Sequence, residues 1–149
     1  MRQAGVPLHL PTGGCHFLQA DYEKMGNALA LLVQRDDHGR KFAPPVSAPD
    51  LQKAYYTNAQ RDEIALEFGQ PMEWTEALAA QFHLDAVAGK VTSGFAAGNV
   101  ITLKLDAPSE AEAVTCLADK TWDHKTVLYG KNGIAALTFC EVPIEVAKK

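Results

Sequence analysis

Three groups of residues in this 149-residue chain carry side chains that can do chemistry. The first centres on His16, in the run Gly13-Gly14-Cys15-His16-Phe17, just ahead of an amphipathic stretch from Ala20 to Arg35. Imidazole titrates near neutrality and acts as a general base when a nucleophile and an orienting acid stand beside it. The second is Asp36-Asp37-His38, to which His9, Cys15 and His16 add donor atoms. A zinc site needs three or four ligands converging at defined geometry. These spacings match no ligand pattern, so the sequence predicts a solvated loop there and no metal. The third group is aromatic: Trp74 and Trp122, with Tyr55, Tyr56 and Tyr129. Aromatic faces bind sugar rings through apolar contact, helped by a few polar groups. Trp122, in the polar run Lys120-Thr121-Trp122-Asp123-His124, is the better substrate-binding candidate and Trp74 the second. The competing expectation for either is packing in a β core or at a sheet edge.

Composition narrows the classes of partner. Hydrophobic residues make up 47% and charged residues 21%, enough for a core, and the net charge is −4. With no basic stripe, nucleic acid is not an expected partner. No apolar run approaches the roughly 18–20 residues that cross a bilayer, and Ala28 to Val33 ends in Gln34-Arg35-Asp36-Asp37, so no membrane span is expected. Met1 to Pro7 has no hydrophobic signal region, which leaves localisation open. Cys15, Cys116 and Cys140 form no CxxC pair and are odd in number. Cys116 and Cys140 read as small buried residues. No cofactor is expected.

The elements that must position these groups change character along the chain. Residues 1–19, with Pro7, Pro11, Gly13 and Gly14, read as loop. Tyr22, Met25, Leu29, Leu32 and Val33 stand at helical spacing and define a helix over about 21–35. Asp21 and Glu23 suit its N-terminal dipole, and Gly39 suits its end. Residues 41–50, with Pro44, Pro45 and Pro49, read as a linker. Beyond it the period becomes two. Expected strands are Leu51–Thr57, Glu63–Phe68, Gln81–Val87, Lys90–Phe95, Val100–Leu105, Ala113–Ala118, Thr126–Tyr129 and Ile134–Val142. Gly98-Asn99 and Asn132-Gly133 are turn signals. Ser109-Glu110-Ala111-Glu112 has the spacing of a capping box and predicts a short helical turn. Two alternatives stand: a helix opening at Pro49-Asp50, against which Tyr55-Tyr56-Thr57 argues through β propensity, and a short helix or irregular crossover over Glu73–Phe82. Short strands at intervals of about 8–15 residues argue for a two-sheet sandwich.

Two resemblances add to this reading. His16-Phe17, then Gly26 and Ala28-Leu29-Ala30, resemble the end of an SGNH-type carbohydrate esterase of the sialate O-acetylesterase kind, over about residues 5–36. The resemblance implies that a histidine just before the last helix of an α/β fold acts as general base for a serine in a Gly-Asp-Ser block. This chain departs from the pattern. Gly13 stands where the family has the orienting aspartate, and none of the three serines, Ser47, Ser93 and Ser109, lies in a Gly-Asp-Ser block. His16 is therefore read as a vestigial or split general base. The segments Asp62–Phe68, Gly98–Leu105 and Asn132–Phe139 resemble the Ig-like domains that follow catalytic domains in bacterial carbohydrate enzymes.

The expectation is thus a mainly β chain: an Ig-like antiparallel β-sandwich over 51–149, preceded by one N-terminal helix within residues 1–40 that resembles the end of the esterase domain. The resemblance implies a C-terminal, accessory region of a sugar O-acetyl esterase, not catalytic alone, from a family often secreted or periplasmic. The alternative is a stand-alone sandwich that binds carbohydrate or protein. Expected partners are a carbohydrate, an esterase catalytic domain, or a second copy meeting the apolar face of helix 21–35.

Overall fold

The computed structural model of the chain describes residues 18–85, 89–117 and 126–146. Among these residues it is mainly β, with a single α-helix at its N-terminal side.

Helix α1 spans Gln19–Asp36. Leu18 precedes it in an extended conformation and offers no side-chain cap. Its carbonyl accepts from the N–H groups of Asp21 and Tyr22 at 2.9 and 3.2 Å. Asp21 sits in the first turn, where negative charge meets the helix dipole, and Lys24 Nζ reaches its Oδ1 at 3.0 Å. At the other end Gly39 takes a left-handed φ of 63°, which turns the chain so that the Arg40 N–H returns to the Gln34 carbonyl at 2.9 Å. The helix places no apolar side chain in the core. Leu18, Tyr22, Leu29 and Val33, one stripe at helical spacing, stand 46–58% exposed.

The strands are β1 (Leu51–Tyr56), β2 (Glu63–Phe68), β3 (Phe82–Leu84), β4 (Val91–Ala97), β5 (Val100–Leu105), β6 (Ala113–Cys116) and β7 (Phe139–Glu145). They form one continuous sheet in the order β3-β6-β7-β1-β2-β5-β4. Neighbours run antiparallel except β1 and β7, which pair in parallel at Ala54↔Ile144 and Tyr55↔Glu145. Alternation explains the register. Ile64, Leu66 and Phe68 of β2 meet Ile101 and Leu103 of β5 on the inner face, while Glu63 and Lys104 pair outside at 3.7 Å. The sheet curls around one core, in which Phe68 of β2 lies 6.5 Å from Phe139 of β7, and Phe139 lies 6.3 Å from Phe82 of β3. The expected second, separate sheet does not form among the described residues, because β7 bonds to β6 on one side and to β1 on the other.

Several boundaries differ from expectation for identifiable reasons. β3 starts at Phe82 because Glu76–Gln81 winds into a 3₁₀ turn, the short helix expected between Trp74 and Phe82. β6 stops at Cys116, since Leu117 takes a left-handed φ of 65°. Residues 126–129 form no strand. Tyr129 bridges only to Ala135, and Gly130 to Met72. Ile134 and Ala135 thus belong to a tight hairpin around Asn132-Gly133, so the last strand begins at Phe139 and not at Ile134. The helical turn at Ser109 is absent: the Ser109 Oγ instead accepts from the N–H of Ala111, two residues on, at 3.1 Å. Leu51–Tyr56 is a strand, not a helix started by Pro49-Asp50.

The proline-rich stretch ends in a strap bound to the sheet. Pro49 is fully buried and its carbonyl accepts from the Leu137 N–H at 2.9 Å. Asn132 is the clasp. Its Nδ2 lies 2.9–3.0 Å from three acceptors, the carbonyls of Pro45 and Ser47 and Gln70 Oε1, which share its two hydrogens. Its Oδ1 accepts from the Ile134 N–H at 3.1 Å. Gln70 is itself buried and donates to the Ser47 carbonyl at 2.9 Å. Gly130 beside the clasp has no room for a side chain: a Cβ would stand 2.7 Å from both Asn132 Oδ1 and Pro49 Cγ.

Candidate functional site

The loop Gln70–Thr75 connects β2 to the 3₁₀ turn and is pinned by its backbone. The Met72 N–H donates to the Gly98 carbonyl and the Glu73 N–H to that of Tyr129, both at 2.9 Å. The Lys131 N–H donates to the Pro71 carbonyl at 2.8 Å. These bonds hold the loop against the 130–133 hairpin and beside β4, an edge strand of the sheet. Between them lies an open groove of about 510 Å³. Its lining includes Glu73, Trp74, Thr75, Glu76, Phe95 and Lys131.

Of the two tryptophan candidates, Trp74 lies within the described residues. It is half-buried and forms a wall of this groove. One indole face stacks on Phe82, with centroids 5.9 Å apart and planes inclined by 28°. Its six-membered ring lies over Gly94 of β4, where a Cβ would come within 2.6 Å of Cζ2. Gly94 thus makes room for the indole, and Trp74 couples the groove to the core. Its Nε1 is buried and has no hydrogen-bond acceptor among the described residues.

Of the tyrosine candidates, Tyr129 joins this loop through its carbonyl, which accepts from the Glu73 N–H, while Tyr55 and Tyr56 lie elsewhere. Tyr56 is buried and donates its hydroxyl to the Ala111 carbonyl at 2.9 Å. Tyr55 lies on β1, three strands from β4, beneath Lys53 Nζ at 5.4 Å. The aromatic side chain that does line the groove with Trp74 is Phe95, 48% exposed, which the sequence reading passed over. The available signal was its phase. In β4 it shares the outward set with Ser93 and Ala97, where an aromatic ring has no core to fill. Trp122 and His16 lie outside the described residues, as do His9 and Cys15.

Arg35 grips Asp36 through two bonds of 2.6 and 2.9 Å, which holds the Asp36 carboxyl below its ordinary range. Among the described residues no three metal donors converge. Cys116 faces the core, and burial pushes its thiol up to about 12. Cys140 on β7, expected to be buried, is instead exposed, and Thr115 Oγ1 lies 3.9 Å from its sulfur. No hydrogen bond joins a serine to a histidine among the described residues, and Ser109 is buried as a turn residue. Among the described residues there is thus no assembled serine–histidine nucleophile. No described helix is long and apolar enough to cross a membrane. No family model, curated protein or solved structure matches the chain.

Proposed function

We propose that this chain is the C-terminal portion of a sugar O-acetyl esterase. In this reading the His16-bearing segment and α1 complete a catalytic domain, and the β region is an Ig-like two-layer accessory domain. The observation that carries it is the exposed stripe Leu18, Leu29 and Val33 on a helix that gives no apolar side chain to the core. Such a stripe needs a partner surface, and in an SGNH fold the last helix packs on the catalytic sheet. The sheet order supports the domain reading. The arms β1-β2-β5-β4 and β3-β6-β7 face one another across Phe68, Phe82 and Phe139, joined by the parallel β1–β7 pair.

The test is docking. The full chain is mixed with the catalytic portion of a sialate O-acetylesterase-like enzyme that lacks its own last helix, and complex formation is followed by size-exclusion chromatography with light scattering. A one-to-one complex that Leu29→Asp weakens supports the proposal. Persistent separate species contradict it. With the partner absent, the same stripe meets a second copy, and the chain alone becomes a dimer at high concentration. The second reading is a stand-alone module that binds carbohydrate, favoured by the groove beside Phe95.

A further inference from the structure

We infer that the groove between the Gln70–Thr75 loop, the 130–133 hairpin and β4 is a binding site for neutral glycan chains, and that it excludes acidic ones. The inference deepens the carbohydrate-binding reading and is independent of whether α1 docks on a catalytic domain.

Three observations combine. The first is apolar surface of the right kind. Phe95 offers a half-exposed ring on the outward face of β4 at the groove, and the indole of Trp74, held rigid by Phe82 and over Gly94, forms a wall of the same groove. The C–H faces of a pyranose need such a ring, and a ring that is already fixed loses little entropy on binding. The second is free polar capacity. Arg35, Lys53, Arg61 and Lys104 are each engaged in an ion pair. In the groove, Glu73, Glu76 and Lys131 have neither an ion pair nor a side-chain hydrogen bond among the described residues. Carboxylates accept from sugar hydroxyls and an ammonium donates to them, so both rims can bond the same ligand. The third is fixed geometry. The backbone bonds of Met72, Glu73 and Lys131 lock both rims before a ligand arrives.

Charge then decides which glycans fit. Two carboxylates and one ammonium leave one net negative charge in the lining. A neutral chain of pentoses or hexoses meets no penalty. A uronate or sialate chain brings carboxylates toward Glu73 and Glu76, and like charges repel. The groove is open, so it suits an internal stretch of a chain and not a capped end.

The experiment is a titration of the ¹⁵N-labelled full chain with xylohexaose, mannohexaose and an oligogalacturonate, followed by chemical-shift changes. The expected result is saturable binding of at least one neutral oligosaccharide, with a Kd on the order of 1 mM. The shifts should centre on the Phe95 amide and the Trp74 indole N–H, and the oligogalacturonate should bind at least about tenfold more weakly. Phe95→Ala should weaken neutral binding about five- to tenfold, with the rest of the spectrum unchanged because the ring is exposed. Glu73→Gln should weaken it less and narrow the gap to the acidic sugar. No shift with either neutral sugar, an effect mapped elsewhere, or tighter binding of the oligogalacturonate each overturns the inference. Loss of sugar binding with intact docking to a catalytic portion overturns this inference alone.

Discussion

Helix α1 and the β region have the same kind of raw material, apolar residues in a regular period, and end in opposite states. In β2 and β5 the alternate residues Ile64, Leu66, Ile101 and Leu103 are wholly buried. In α1 the periodic residues Tyr22, Leu29 and Val33 are about half exposed. Period determines which side chains share a face; only a second surface buries that face. The β region supplies that surface to itself by curling, whereas the described residues do not cover Leu29 and Val33 of α1.

Core truncation is expected to have the largest effect. Phe68→Ala removes a ring packed against Phe139 and should cost about 3–5 kcal/mol of β-region stability in denaturant unfolding. Its counterpart in the helix, Leu29→Ala, should stay within about 0.5 kcal/mol. Equal costs would erase the contrast.

The next effects sharpen the distinction between the strap and the helix. Asn132→Ala removes the donor shared by the Pro45 and Ser47 carbonyls and Gln70 Oε1 and should cost about 0.5–1.5 kcal/mol, with faster proteolysis within 40–50 and no change within α1. Gly94→Ala forces a Cβ against Trp74 and the Thr102 carbonyl and should cost about 1–3 kcal/mol, with a changed indole emission.

A smaller, pH-dependent effect belongs to the core alone. The Cys116 thiol is raised by burial from 9.0 to about 12. The native state therefore holds that proton after the unfolded chain has lost it. The contribution is constant below about pH 9 and falls by about 1.4 kcal/mol per pH unit from there toward 12. Unfolding melts of Cys116→Ala against wild type between pH 8 and 10.5 should converge as pH rises. At pH 8 a thiol reagent should label Cys140 and spare Cys116.

Much of the β region was legible, and the reasons are local. Glu63–Phe68 and Val100–Leu105 alternate cleanly, and both strands occupy those residues. Gly98-Asn99 turns between β4 and β5, with a left-handed φ of 63° at Gly98. The helix was legible from its 3.6 period. Failures cluster where one segment had two partners to choose from. Ile134 and Ala135 have strand propensity, but the hairpin claims them, and Phe139–Glu145 becomes β7. Where the Pro-rich stretch meets β1, the Pro49 carbonyl bonds the Leu137 N–H and its ring lies beside Gly130, contacts that no local signal announces. The groove was half legible. Trp74 was singled out, but Phe95, Glu73, Glu76 and Lys131 come from separate segments that only the loop bonds bring together.

The central claim is that the chain completes an esterase and does not catalyse alone. Its most direct test is hydrolysis of an aryl acetate by the full chain, by the catalytic portion lacking its last helix, and by the two together, each with wild type and His16→Ala. The account predicts no hydrolysis by the chain alone and a rise on mixing that His16→Ala abolishes. Hydrolysis by the chain alone that disappears with His16→Ala would contradict it, because a nucleophile would then reside within these 149 residues.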